Sequence, residues 1–189
     1  MEGEKNDVFP EVCLSFSPNW YASQILCISQ DGVAAYGSND EVYIVKVYEK
    51  KITTSISLKS PEVLKIKEAN LKKISSVLIT EKHLLFTNVY GYIGIFERVG
   101  DEFNQIYSEN LGLSKEVAYI RLIEHNENGM YFLLSDGESH IVLCNFMGGE
   151  LKKNIIRRKG KPTKLKWFQV LKWQSLSFIV LYTEDGTIE

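Results

Sequence analysis

Two adjacent aromatics, Trp20 and Tyr21, follow a Ser17-Pro18-Asn19 turn near the start of the chain. Proline fixes φ and asparagine favours a turn, so both rings leave a rigid bend. Rigid rings lose little entropy on binding, and two on one lip can stack a flat heteroaromatic or cationic ligand. A second stretch could hold phosphates. Lys152, Lys153, Arg157, Arg158, Lys159, Lys161, Lys164 and Lys166 place eight of the 22 Lys and Arg within fifteen residues, followed by Trp167, Phe168 and Trp173. Cations interleaved with aromatics can grip a phosphate backbone and stack bases. Each feature also has a structural alternative. Large aromatics pack in cores, and lysines keep sheet edges soluble.

Other chemistry finds little support. His83, His125 and His140 stand at strand ends without metal-like neighbours, which suits packing and turn capping. There is no Gly-rich phosphate loop, no Gly-x-Ser-x-Gly elbow and no His-Glu-x-x-His. Carboxylate pairs such as Glu124/Glu127 and Glu184/Asp185 fall in turns. Three cysteines, Cys13, Cys27 and Cys144, lack paired spacing, which favours reduced thiols over a disulfide framework or zinc site. We therefore expect no enzyme, no cofactor, no metal and no small-molecule substrate.

The bulk composition fits that expectation. A chain of 189 residues with 44% hydrophobic and 24% charged residues is an ordinary globular domain. A formal net charge of -2 excludes a globally basic nucleic-acid binder and leaves room for a local basic patch. The first residues are acidic and polar, and no apolar run reaches the roughly 20 residues a membrane helix needs. A nuclear and cytoplasmic location, away from membranes, follows as an expectation.

The elements that must position these residues are short strands. Residues 1–16 read as a flexible lead, and residues 17–189 as the N-terminal part of one β-propeller. Apolar runs of five to seven residues are cut by Gly, Asp and Asn, and helical periodicity is nearly absent. Only Pro61 to Ile74 breaks the pattern, as a connecting loop with room for one helical turn. The runs group in fours: Gln24–Ile28, Val33–Tyr36, Val42–Val47 and Ile52–Leu58; then Ile74–Ile79, His83–Thr87, Tyr92–Phe96 and Phe103–Tyr107; then Val117–Ile123, Met130–Leu134, His140–Phe146 and Leu151–Ile156. Thr163–Phe168 and Ser177–Tyr182 begin a further unit.

Turns at Asn39-Asp40, Tyr90-Gly91, Asp136-Gly137 and Asp185-Gly186 recur about every 46 to 51 residues. Four strands per unit at that period is the signature of a propeller, whose blades stack around an axis. The expected fold is all-β: an incomplete WD-repeat-like propeller of about four four-stranded blades, the last one truncated. A β-sandwich is the alternative, disfavoured because the repeat survives three times. No Gly-His or Trp-Asp dipeptide occurs, so the blades are degenerate. A chain stopping at Thr183-Glu184-Asp185-Gly186-Thr187-Ile188-Glu189, just past a hairpin turn, reads as a fragment of something longer.

Ser17-Pro18-Asn19-Trp20-Tyr21 and the segment Gly32 to Val47, ending Val42-Tyr43-Ile44-Val45-Lys46-Val47, resemble the N-terminus of the gem-associated protein 5 family over about 30 residues. The resemblance implies a WD-repeat propeller protein of the survival-of-motor-neuron (SMN) complex. Such a protein recognises small nuclear RNA, at its Sm site or 7-methylguanosine cap, during spliceosomal particle assembly. It implies an RNA or cap contact for Trp20 and Tyr21, and other SMN-complex proteins as partners. The turn where the family offers an arginine reads Ser38-Asn39-Asp40-Glu41 here, and no Gly-His motif follows. The expected function is RNA recognition, with the basic stretch as candidate phosphate contacts. The alternative is a protein–protein scaffold propeller in a transcription, trafficking or checkpoint complex.

Overall fold

A computed structural model describes residues 18–19, 21–113, 116–138, 140–157, 163–173 and 176–188. The expected lead 1–16, Cys13, Trp20, Arg158, Lys159 and Lys161 lie outside the described residues. Three antiparallel meanders of four strands are followed by a two-stranded hairpin. Blade 1 holds β1 (Leu26–Ile28), β2 (Val33–Ser38), β3 (Glu41–Lys46) and β4 (Lys51–Ile56). Blade 2 holds β5 (Ile74–Ile79), β6 (His83–Asn88), β7 (Tyr92–Val99) and β8 (Glu102–Asn110). Blade 3 holds β9 (Tyr119–Asn126), β10 (Gly129–Ser135), β11 (His140–Met147) and β12 (Glu150–Arg157), and blade 4 holds β13 (Leu165–Trp173) and β14 (Leu176–Thr183). This is the WD-repeat-like propeller architecture expected, as an open arc whose sheets do not close into a ring.

Blades 2 and 3 bury both faces because their strands are apolar at consecutive positions, and cross-strand partners share a face. In blade 1, Ala35 and Ile44 pair across β2 and β3 and pack on Val77, Ile79, Leu84 and Phe86 of blade 2. The alternate blade 2 positions Leu78, Leu85 and Ile95 pack on Ile120, Phe132 and Val142 of blade 3. Tyr119, Leu133 and Ile141 on the other side of blade 3 pack on Leu165, Phe168 and Leu181. Each large side chain fully buried this way contributes about 1.5–3 kcal/mol. The blade 4 face that turns away from blade 3 pairs Trp167 with Tyr182 and Leu171 with Phe178, and all four are exposed.

The turns fall where expected. Positive φ occurs at Asn39, Gly91, Gly137 and Gly186, one residue in each repeated turn. The Pro61 to Ile74 segment holds two short helices, α1 (Pro61–Leu64) and α2 (Ala69–Lys72). Ser60 caps α1 by accepting from Val63 N at 3.2 Å, and Pro61 stands at its first turn. Leu58 and Val63 are buried in the joint between blades 1 and 2, which explains why the insertion folds despite weak periodicity. The first strand is shorter than the sequence suggested: Gln24 forms only an isolated parallel bridge to Ser76.

Ion pairs tie the joints at the rim opposite the repeated turns. Arg98, whose side chain is 8% exposed, pairs with Asp31 at 2.7 Å and donates to Thr80 O. Lys46 reaches Asp101 at 2.8 Å. The Arg98 guanidinium holds the Asp31 carboxyl below its usual range, against desolvation. Among the described residues, no helix is long and apolar enough to cross a membrane.

Candidate nucleic-acid interface

One rim of the arc is formed by the segments leading into β5, β9 and β13 and by the second turn of each blade. Hydrogen bonds show that these belong together. Ile74 N donates to Asn39 O at 2.7 Å, Tyr90 N to Leu71 O at 3.0 Å, Leu165 N to Gly137 O at 2.7 Å and Glu184 N to Lys164 O at 2.8 Å. Tyr21 enters this mouth from the N-terminal side.

Asn19 sets the position of Tyr21. Asn19 is buried, its Nδ2 donates to Asn39 O at 3.0 Å and Ile74 O at 3.1 Å, and its Oδ1 accepts from Asn39 N at 2.8 Å. Its backbone N donates to Gly37 O at 3.0 Å, and its carbonyl accepts from Ala22 N at 2.9 Å. Asn19 is therefore more than a turn former: it joins blade 1 to blade 2 and closes the turn that carries Tyr21. The Tyr21 ring is 41% exposed, with Lys73 Nζ 5.7 Å from its centroid. Desolvation, and secondarily the Glu116 charge, raises the Tyr21 phenol above its ordinary range.

Gln24 anchors the same lip from below. β5 and β9 are the first strands of their sheets, so one edge of each lacks a ladder partner. Val77 N donates to Gln24 O at 2.9 Å, and Gln24 Nε2 donates to Val77 O at 3.0 Å. Gln24 Oε1 accepts from Ile120 N at 3.0 Å, so one buried side chain links three blades.

The basic stretch divides between two places. Lys152, Lys153 and Arg157 lie on β12, the outer strand of blade 3, whereas Lys164 and Lys166 lead into and begin β13, the first strand of blade 4. Lys153 bonds the Glu109 carboxylate on β8, which also accepts from Tyr107 OH, so it ties blades 2 and 3. Lys152, Lys164 and Lys166 are exposed. Trp167 and Phe168 take opposite faces of β13: Phe168 is fully buried edge-on to Tyr119, while Trp167 is 43% exposed. The mouth gains other cations instead. Lys72 and Lys73, in the segment leading into β5, are partly exposed, and Tyr90, stacked on Tyr92 with centroids 6.0 Å apart, bonds that segment through Leu71 O. Five lysines between positions 59 and 73 were the available signal in the sequence.

The histidines behave as structural residues. His83 and His125 meet edge to face across the joint of blades 2 and 3, with centroids 4.8 Å apart. Desolvation, and next the His125 charge, lowers the His83 pKa. His140 Nδ1 lies 2.8 Å from Asp136 Oδ2, and Asp136 Oδ1 accepts from His140 N and Glu138 N, which shapes the third repeated turn. Cys27 is partly buried and Cys144 fully, both reduced, and burial pushes the Cys144 thiol up to about 12. Among the described residues, no group of three or more His, Cys, Asp or Glu could hold a metal ion.

No family model and no curated protein matches the chain. Solved structures do. The chain is similar to Sqt1 of Saccharomyces cerevisiae (11% identity, TM-score 0.59, covering 88% of this chain and 44% of that one). It is similar to BBS1N, solved in complex with ARL6DN (9% identity, TM-score 0.54, 82% and 45%). It is also similar to the computationally designed protein Ika4 (12% identity, TM-score 0.53, 87% and 86%). The chain thus spans less than half the length of Sqt1 and BBS1N. At such identities the likeness speaks for the fold: an arc of a WD-repeat-like β-propeller.

Proposed function

We propose that this chain is a recognition propeller that binds single-stranded segments of small nuclear RNA at its mouth. The observation that carries the reading is the Tyr21 ring, fixed by Asn19, exposed on the mouth and accompanied there by Lys73, Lys72, Tyr90 and Lys164. An exposed ring stacks bases of any identity, and clustered cations hold the backbone between them. The sequence resemblance supplies the finer terms: the Sm site or 7-methylguanosine cap as target, Trp20 beside Tyr21, SMN-complex proteins as partners, and work in nucleus and cytoplasm.

Fluorescence anisotropy with capped and uncapped small nuclear RNA tests this. Stacking contributes about 1–3 kcal/mol per base, so Tyr21→Ala is expected to weaken binding roughly 5- to 150-fold. Trp20→Ala with Tyr21→Ala should weaken it further. Unchanged affinity in the double variant refutes the stacking mechanism. Removing Lys72 and Lys73 should lower the salt slope, each phosphate contact contributing about 0.9 to it in duplex and about 0.7 in single strands.

A protein-interaction scaffold is the second reading. It is favoured by the exposed Trp167, Leu171, Phe178 and Tyr182 on one face of blade 4. The neighbour BBS1N was solved with a protein partner. A photocrosslinking residue at Leu171 should trap protein under this reading. One at Tyr90 should trap RNA under the first.

A further inference from the structure

The joint between blades 1 and 2 holds a recess of about 510 Å³ on the outer side of the arc. It lies between β4 and β8, the outer strands of the two blades. Its floor is Phe96, 3% exposed, and its walls carry Thr54 and Ile56 on one side and Phe103 and Gln105 on the other. Asp101, held by Lys46, and Glu102 stand at the end away from the mouth. At the other end Lys59 N donates to Gln105 Oε1 at 3.0 Å, and Gln105 Nε2 donates to Lys59 O at 3.3 Å. Strand register shows why the recess exists. Ile44 and Ile95 are equivalent positions, since each pairs with a second-strand residue, Ala35 or Leu85, that faces the following blade. On the fourth strand Ile95 pairs with Tyr107, and Ile44 with Thr54. By the same register Ile56 answers to Glu109, and Gln105 to Lys153. Between blades 2 and 3 these side chains close the joint: Tyr107 packs on Phe146 with centroids 5.4 Å apart, and Glu109 accepts from both Tyr107 and Lys153. Between blades 1 and 2 a threonine stands in place of the ring and a glutamine in place of the cation.

The groups missing from this joint define what fits it. An incoming ring would rest on Ile56, Phe96 and Phe103, where Thr54 leaves room, as Tyr107 rests on Phe146 in the next joint. A cation beside it would meet Glu102, whose exposed carboxylate makes no ion pair among the described residues. A guanidinium can take such a carboxylate with two parallel bonds. Lys59 at the opposite end repels a cation, so the order of charges fixes the direction of the ligand. β4 is the last strand of its sheet and its outer edge lacks a ladder partner, so an extended segment can pair with it. In such a segment residues i and i+2 share a face, about 6–7 Å apart. We propose that the recess docks an extended segment of a partner protein that presents an aromatic residue and, two positions away, an arginine or lysine. The aromatic takes the place that Tyr107 fills in the next joint, and the cation binds Glu102.

The recess is separate from the mouth, so its role is independent of RNA recognition there. The probe is an array of immobilised nonapeptides with Trp, Tyr, Phe or Ala at the centre and Arg, Lys, Glu or Ala two positions to either side. It is read with the fluorescently labelled 189-residue chain. Aromatic–basic members should be retained at least about tenfold better than those with Ala at the centre, as for a buried aromatic anchor. Replacing the basic residue by Ala should cost about twofold to fivefold, as for an ion pair at an exposed rim. Glu102→Gln should cost the same factor against Arg peptides and nothing against their Ala counterparts. Thr54→Tyr places in the recess the ring that the next joint holds, and should weaken every peptide at least about tenfold. An unchanged urea midpoint shows that each variant is folded. Absence of any preference for aromatic–basic members overturns the docking site. So does a preference that survives Thr54→Tyr, or a choice of Arg over Ala that survives Glu102→Gln. Displacement of the bound peptide by oligouridine assigns the recess to RNA and likewise overturns it.

Discussion

Replacing Gln24 by alanine tests the reading that one residue holds three blades together. The side chain is buried, donates to Val77 O and accepts from Ile120 N, both at 3.0 Å. Neither group has a ladder partner on that side, because β5 and β9 each begin a sheet. Truncation leaves one carbonyl and one N–H unsatisfied in the joint. At about 1–3 kcal/mol for each, the expected loss is about 2–6 kcal/mol, toward the lower end where water enters the space left. Domains of this kind have about 5–15 kcal/mol in total, so the variant should be visibly weakened or unfolded. In urea, with a slope of about 2 kcal/mol per molar, the midpoint should fall by roughly 1–3 M. Gln24→Leu fills most of the volume without the bonds, so it separates the cavity from the hydrogen bonds. Amide exchange at Ile120 supplies a local readout. A Gln24→Ala midpoint within about 0.3 M of the original, with Ile120 exchange unchanged, would refute the three-blade link.

Further outcomes follow from other residues. A Cβ on Gly94 would lie 2.2 Å from Leu58 Cδ2 and 2.9 Å from Phe96, so Gly94→Ala should destabilise by about 1–3 kcal/mol in the same urea assay. Desolvation, then His125 and Lys82, lower the His83 pKa against the pull of Glu97. Its folded pKa lies below the unfolded value, so its share of stability is present above pH 6.5 and is lost as pH falls toward the folded value. His83→Phe should flatten the fall in urea midpoint between about pH 7.5 and about pH 5, roughly one to one and a half units either side of an ordinary histidine.

Much of the fold is legible in the sequence because its signals are local. The turns at Asn39, Tyr90-Gly91, Asp136-Gly137 and Asp185-Gly186 each need one positive φ, and that need is met within the turn itself. Strand alternation likewise puts Trp167 and Phe168 on opposite faces, and the structure shows Phe168 as the inward one. The candidate site is legible only in part. Asn19 and Gln24 look like ordinary polar residues, since the groups they satisfy lie 55 and 96 positions away. The basic stretch reads as one patch in sequence, yet Lys153 lies on the outer strand of blade 3 and Lys166 on the first strand of blade 4. Alternation fixes which face a residue takes but not its distance from the axis. The bond from Ile120 N to Gln24 Oε1 depends on blades 1, 2 and 3 fanning around one mouth, which no local pattern encodes.

The half-covered hairpin of β13 and β14 has a consequence for handling the molecule. Its inward face rests on blade 3, and its outward face leaves Trp167, Leu171, Phe178 and Tyr182 in water. With a single packed face it should open before the sandwiched sheets, as a sub-global unit below the global unfolding free energy. Opening would bare Tyr119, Leu133 and Ile141 on blade 3 as well. Colloidal behaviour is then governed by this hairpin rather than by the core. Lys164 and Lys166, exposed at its entrance, act as gatekeepers against strand-to-strand association.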